Sequence, residues 1–134
     1  MQGWIFWSDW GSTPYIAMAA LDGSHMEKIV YNREDGKEYL GWPNGLSLDT
    51  SSTGDRLYWI DAKLDSIFTC LVKNCMQNIE VILHNTEDIK HPFSITVFEV
   101  KSNPLLVVVT DHIKSLCSNL YWSIVAKYEP LIPN

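Results

Sequence analysis

The feature that most restricts the fold of this chain is an internal repeat. Two segments, residues 4–23 (WIFWSDWGSTPYIAMAALDG) and residues 56–74 (RLYWIDAKLDSIFTCLVKN), align with one another. Within them an aromatic and an acidic position recur at an offset of 52 residues: Trp7 with Trp59, and Asp9 with Asp61. A chain built from copies of one unit buries its apolar residues between neighbouring copies, so the repeat must be interpreted before the single elements.

A second repeated element precedes the apolar segments. WPNGLSLD at residues 42–49 recurs 49 residues later as HPFSITVF at residues 91–98. Pro92 in the later copy lies 19 residues before Asp111, much as Pro43 lies 18 residues before Asp61. This spacing predicts a third, degenerate copy in which the following positions correspond: Val107, Val108 and Val109 with Leu57, Tyr58 and Trp59.

Each repeat contains four short strand candidates. In the second copy they are residues 45–49, 56–61, 66–72 and 80–84, and Ser-, Gly-, Asp- and Asn-rich turns separate them. A four-stranded antiparallel unit repeated every 40 to 50 residues is typical of a β-propeller blade. Segment 56–61 is apolar on both of its alternating faces, as expected for a strand covered by a blade on each side. We therefore predict an all-β, incomplete propeller of about two blades.

The repeat divides the chain into four parts. Residues 3–31 are predicted to supply strands two to four of one blade, and residues 42–84 a complete blade, with a charged loop at 32–41 between them. Residues 91–134 begin a third, degenerate blade or form an unrelated tail. Because an unclosed propeller leaves strand edges open, self-association through these edges is also expected.

Composition excludes several kinds of partner. The chain has 134 residues and a formal net charge of −6, without a cluster of Lys and Arg, so no nucleic-acid partner is expected. Its longest strongly apolar run, Pro104–Val109, is far shorter than the roughly 20 residues of a membrane helix. The N-terminus lacks the basic start of a signal peptide. We expect neither a membrane segment nor a signal peptide within this sequence.

Patterns for metal binding and catalysis are weak. The odd cysteine count, Cys70, Cys75 and Cys117, leaves at least one thiol free or paired outside the chain, and the spacing is not that of a zinc finger. Residues 49–54 resemble the start of a calcium loop, but Ile60 stands where its bidentate Glu is needed, so a hairpin turn is predicted. Without a nucleophile elbow, a zincin motif or a phosphate-binding loop, no catalytic residue, metal or cofactor is predicted.

Several motifs of this chain resemble a known family. The low-density lipoprotein receptor class B (YWTD) repeats, and especially those of lipoprotein receptor-related proteins, are similar to FWSDWG, YWID and the run WPNGLSLD…RLYWIDAKLDSI. The resemblance covers Gly3–Glu99. It implies a six-bladed extracellular propeller in a receptor that binds and internalises protein ligands or acts as a Wnt co-receptor, without enzymatic activity. The motif aspartates are then structural hydrogen-bond acceptors that tie blades together. The motif positions implied are Phe6, Trp7, Asp9, Pro43, Gly45, Tyr58, Trp59, Asp61 and Pro92.

Trp10 and Trp42 each lie just beyond a strand end, where they form a ligand surface or simply cover the core.

The sequence also departs from the family pattern, because LDG at residues 21–23 becomes VKN at residues 72–74, and a looser second turn is expected. Two alternatives to the receptor function stay open. One is a matrix scaffold of the nidogen type, and the other is a calcium-dependent propeller hydrolase.

Overall fold

A computed structural model describes residues 3–50, 54–84, 89–100, 103–110 and 123–127, with side chains up to residue 97. The described residues form three antiparallel sheets that follow one another along the chain. Their only helical element is a short 3-10 helix at Cys75–Gln77. This arrangement confirms the predicted all-β class.

The first sheet has three strands in the order β1, β2, β3. They span Trp4–Asp9, Tyr15–Ala20 and Glu27–Tyr31. The turn from β2 to β3 is closed by the Asp22 carboxylate, which accepts hydrogen bonds from the amide and the hydroxyl of Ser24. Three of the six residues of β2 are alanines, and all three are buried: Ala17, Ala19 and Ala20.

The second sheet has four strands in sequence order: β4 (Pro43–Asp49), β5 (Arg56–Asp61), β6 (Ser66–Leu71) and β7 (Glu80–His84). β5 and β7 span the residues predicted for them, while β4 starts two residues earlier and β6 ends one residue earlier. The 3-10 helix lies in the connection from β6 to β7.

The third sheet contains β8 (Pro92–Val100), β9 (Asn103–Thr110) and β10 (Ser123–Lys127), with β9 in the middle. Its register corrects the predicted third copy by one residue. Pro92 lies opposite Thr110, as Pro43 lies opposite Asp61, so Thr110 rather than Asp111 takes the aspartate position. The β8–β9 hairpin keeps the register of the β4–β5 hairpin at a constant offset of 49 residues, so the prediction was wrong because it followed the aspartate at position 111 rather than this offset. Asp111 itself lies outside the described residues.

The same one-residue shift applies along β9. Ile95 pairs with Val108 as Leu46 pairs with Trp59. Leu106, Val107 and Val108 therefore occupy the positions of Leu57, Tyr58 and Trp59, and the predicted match of Val107, Val108 and Val109 is wrong. Residues 91–97 of this sheet still pack on the second sheet as a neighbouring blade would.

Two apolar clusters join the sheets, one on each side of the second sheet. The first includes Leu57 and Trp59 of β5 together with residues of β2 and β3. The second includes Tyr58 and Ile60 of β5 together with Ile95 of β8. All four β5 side chains are at most 1 % exposed. A strand that is apolar on both faces is thus buried on both faces, and the sheets form a partial propeller.

Candidate functional site

Asp61 is the best-bonded side chain of the repeat motif. It is fully buried, and its two carboxylate oxygens accept hydrogen bonds from four backbone N–H groups. Two donors, Gly41 and Trp42, belong to the segment that leads into β4, at 2.6 and 3.0 Å. The other two, Lys63 and Leu64, belong to the turn after β5, each at 3.0 Å. Asp61 therefore ties the entry of the second sheet to the exit of β5.

The corresponding Asp9 is exposed at the end of β1. Among the described residues it accepts one hydrogen bond, from the Gly11 amide at 2.9 Å. The difference follows from topology, because β1 has no described neighbour corresponding to β4.

The other motif positions lie where the chain is closely packed. Trp59 is buried, stacks on Phe68 with ring centroids 5.3 Å apart, and donates its indole N–H to the Tyr39 carbonyl. Tyr58 is buried against the third sheet, and Pro43 and Pro92 are buried at the starts of β4 and β8. The two motif aromatics of β1 are only partly buried: Phe6 and Trp7.

Gly45 marks the closest approach of two sheets. A Cβ atom at this position would lie 2.9 Å from the Ile95 amide nitrogen and 3.0 Å from the Ser94 Cα. Both are backbone atoms of β8, so they cannot move aside as a side chain can. Only glycine fits here without displacing the third sheet.

Trp10 and Trp42 are 61 % and 47 % exposed. Trp10 follows the end of β1 and Trp42 precedes the start of β4, and a hydrogen bond from the Ser8 hydroxyl to the Asn44 carbonyl holds these strand ends together. We call this region the tryptophan surface. An open cavity of about 370 Å³, lined by Ser8, Asp9, Trp10 and Gly11, borders it.

The loop that connects β3 to Trp42 is ordered at its base and charged at its tip. The side-chain amide of Asn32 accepts hydrogen bonds from the backbone N–H groups of Tyr39 and Leu40, and it donates one to the Leu40 carbonyl. Leu40 is fully buried, whereas residues 33–38 are exposed. In the tip, Glu38 pairs with Lys63 at 3.2 Å. The loop therefore presents its charges from a fixed base beside the tryptophan surface.

Sequence reasoning missed a disulfide bond between Cys70 and Cys75. The sequence VKN led us to expect a looser second turn, and this expectation is wrong because the turn is covalently closed. The signal was present in the sequence, because two cysteines five residues apart span the end of a strand and the following turn. In the structure their Cα atoms lie 5.1 Å apart, within reach of a disulfide.

The structure also brings together a serine and a histidine that sequence reasoning did not connect. The Ser66 hydroxyl lies 2.7 Å from the His84 Nδ1 atom. It also donates its single proton to the Leu64 carbonyl at 2.7 Å. Because the hydroxyl has one proton, donation to Leu64 leaves only its lone pairs for His84, and the contact then requires the tautomer that carries its proton on Nδ1. Within the described part of the chain, no three His, Cys, Asp or Glu residues are grouped to hold a metal ion.

Comparison with known proteins agrees with this geometry. The family described as low-density lipoprotein receptor repeat class B matches residues 3–50. The vitellogenin receptors of Drosophila melanogaster and Solenopsis invicta are both 37 % identical to the chain, over 98 and 100 residues. The chain belongs to the low-density lipoprotein receptor class B repeat family.

This class B repeat chain spans only a small part of the length of the relatives it matches. It covers 4 % and 5 % of the two vitellogenin receptors, which match 73 % and 75 % of the chain. The human low-density lipoprotein receptor-related protein 5-like protein is 43 % identical over 66 residues, 49 % of this chain and 23 % of that protein. A crystal structure of a nidogen/laminin complex superimposes with a TM-score of 0.58 and 23 % identity, over 80 % of this chain and 38 % of that one. The last comparison shows the propeller fold alone.

Within the described residues, no helix has the length and hydrophobicity required to span a membrane.

Proposed function

We propose that this chain is a non-enzymatic, ligand-binding segment of the extracellular propeller of an endocytic receptor. Its partners are protein ligands that bind at the tryptophan surface. In this proposal the complete propeller has six blades, of which the chain supplies consecutive ones. The motif residues, including Asp61 and Gly45, hold the blades together rather than touch the ligand.

The observation that carries the proposal is the exposure of two indole rings on an ordered frame. Trp10 and Trp42 are about half exposed or more, although each is flanked by backbone held in hydrogen bonds. Tryptophan is strongly over-represented among the residues that dominate binding energy at protein interfaces. A rigid frame lowers the entropy cost of binding, so these rings are well placed to anchor a protein.

Two further observations support an extracellular, non-catalytic role. The Cys70–Cys75 disulfide is a type of bond that persists in oxidising compartments and is rare in the cytosol. The Ser66 hydroxyl beside His84 also bonds to the Leu64 carbonyl, which competes with the histidine for its single proton, so the pair is not arranged as an activated nucleophile. An exposed apolar edge at β1, where Trp4 and Ile5 are 41 % and 45 % exposed, also supports self-association of the isolated chain.

The names of the relatives narrow the proposed ligand class. Two relatives that match about three quarters of the chain are vitellogenin receptors, so we infer a large lipoprotein ligand of the vitellogenin type. The second candidate is a Wnt co-receptor. It is favoured by the 43 % identity to the human low-density lipoprotein receptor-related protein 5-like protein. The two candidates differ in outcome, because the first internalises its ligand and the second transmits a signal.

Uptake by cells that express the full-length protein containing this chain tests the proposal. Fluorescently labelled vitellogenin is expected to bind at the cell surface and enter the cells. The Trp10→Ala/Trp42→Ala double variant should reduce the apparent affinity about tenfold or more, because truncated interface anchors typically have effects of this size.

Val81→Ala provides a matched control, because Val81 is a 53 % exposed apolar residue on β7, away from the tryptophan surface. Its binding should equal that of the parent protein. Absence of vitellogenin uptake together with activation of a Wnt reporter would favour the co-receptor instead. Unchanged binding by the tryptophan double variant would remove this surface from the proposal.

A further inference from the structure

The 3-10 helix at Cys75–Gln77 is fastened to its own sheet by a covalent bond. Cys70 lies in β6 and Cys75 begins the helix, and both are buried, at 0 % and 3 % exposure. Both also belong to the apolar cluster between the first and second sheets. The disulfide therefore lies at the contact between two sheets rather than at a free loop end.

Side-chain hydrogen bonds complete the closure of this turn. The Asn78 side chain accepts a hydrogen bond from the Leu71 amide and donates to the Asn74 carbonyl at 2.6 Å. Asn74 itself has a left-handed backbone conformation with φ of 64°. The direction in which the helix leaves β6 is thus fixed on both sides of the helix.

The helix reaches across to the first sheet through Met76. The Met76 sulfur accepts a hydrogen bond from the Tyr31 amide at 3.5 Å, and the Met76 side chain packs against the cluster between the sheets. Tyr31 is the last residue of β3 and directly precedes Asn32, which holds the base of the charged loop. A continuous series of contacts therefore runs from the disulfide to the loop beside the tryptophan surface.

The corresponding turn of the first sheet has no such extension. Residues 21–24 form a short turn closed by the Asp22–Ser24 hydrogen bonds and by the Gly23 amide, which donates to the Ala20 carbonyl. The additional residues of the second turn are therefore not needed to join two strands. They form the contact with β3.

We propose that the disulfide-fastened helix is a positioning device that holds the end of β3 and the base of the charged loop in place. Cys70, Cys75 and Met76 are positioning residues, because they act through Tyr31 and Asn32 and do not contact a ligand. The positioning itself is a property of the chain. Only its consequence for ligand binding rests on the proposed function.

Hydrogen exchange of the full chain measures this positioning directly. In a Cys70→Ala/Cys75→Val variant, which keeps apolar side chains but removes the bond, the Tyr31, Tyr39 and Leu40 amides should exchange about tenfold faster or more. The Val97 amide, which donates to the Ser47 hydroxyl at the contact of the second and third sheets, is the internal control and should keep its rate.

A second pair of variants separates the contact with β3 from overall stability. With the disulfide intact, Met76→Ala should accelerate exchange at Tyr31, while Met76→Leu should retain the packing but not the protection of the Tyr31 amide, because leucine lacks the acceptor sulfur. Equal acceleration at Val97 and Tyr31, or no acceleration at Tyr31 in any variant, would overturn the proposal.

Ligand binding is measured separately, on the full-length protein. If the loop loses protection while vitellogenin affinity stays constant, the positioning holds and the charged loop does not contribute to ligand binding. If both change together, the charged loop contributes to binding.

Discussion

The first and second sheets are built from the same repeat, yet the same motif positions do different work in them. Asp61 is buried and accepts four backbone hydrogen bonds, whereas Asp9 is exposed and accepts one among the described residues. The cross-strand neighbour of Trp59 is Phe68, on which it stacks, while the neighbour of Trp7 is Ala17. The identity of a motif residue therefore does not determine its burial.

The difference depends on the strand that comes before the motif. In the second sheet the segment leading into β4 brings two N–H donors to Asp61. The described part of the chain has no such strand beside β1. The structural unit thus extends from the segment before β4 to the turn after β5, and an aspartate in the repeat is effective only when both parts are present.

The largest expected effect on stability follows from replacing the motif aspartate, which is Asp61 in the second sheet and Asp9 in the first. Asp61→Ala leaves buried N–H groups without a partner, and we expect a loss of about 4 kcal/mol in the free energy of unfolding, or failure to fold. Asp9→Ala removes one exposed hydrogen bond and should cost less than about 1 kcal/mol. Urea unfolding of the full chain, followed by tryptophan fluorescence, measures both.

Asp61→Asn serves as the intermediate variant, because an amide oxygen accepts hydrogen bonds but carries no charge. Its stability should lie between those of the parent and Asp61→Ala. Similar losses for Asp9→Ala and Asp61→Ala would contradict the comparison and indicate that Asp9 has equivalent partners.

A smaller difference is expected for two glycines. Gly45→Ala places a methyl group against the β8 backbone and should destabilise the chain by about 1–3 kcal/mol, the usual range for overpacking. Gly11→Ala meets only the Asp9 carboxylate, at 3.2 Å, and should change stability by less than about 0.5 kcal/mol. Thermal unfolding of both variants distinguishes the sites. An equal effect would mean that the third sheet yields to the added methyl group.

Part of this architecture could be predicted from the sequence, because periodic apolar residues report burial directly. Leu57 to Ile60 predict a strand buried on both faces, and the spacing of Pro43 and Asp61 predicts a repeated hairpin. The register of β9 was mispredicted because the match followed residue identity, the aspartate at position 111. The constant offset of 49 residues places Thr110 opposite Pro92, as Asp61 lies opposite Pro43.

Contacts between distant polar residues also escaped prediction. Asp65 accepts a hydrogen bond from the His91 amide at 2.7 Å and lies 3.7 Å from Lys90, although the residues are 26 and 25 positions apart. Asn32 holds the charged loop through its amide group. Such pairs have no periodic signature, since each depends on how two turns meet in space.

The smallest expected effect concerns the two turns that follow β2 and β6. Hydrogen bonds from the Ser24 hydroxyl, and then from the Ser24 amide, lower the pKa of Asp22 below its usual value of 3.8, whereas the turn after β6 is closed by a disulfide and the Asn78 side chain. A lowered pKa in the folded state contributes stability above the unfolded value, and this contribution is lost as the pH falls through the folded value. Acidification below about pH 4 should therefore loosen the first turn before the second.

Ser24→Ala removes the hydroxyl donor and should raise the pKa of Asp22 toward 3.8, as an NMR titration of its carboxyl carbon would show. Ser12→Ala, a change of an exposed serine in the turn after β1, is the matched control and should leave the Asp22 pKa unaltered. An unchanged pKa in Ser24→Ala would assign the shift to the backbone amide. The first turn would then owe its acid sensitivity to a contact that any residue at position 24 except proline can make, and the serine would not distinguish it from the covalently closed second turn.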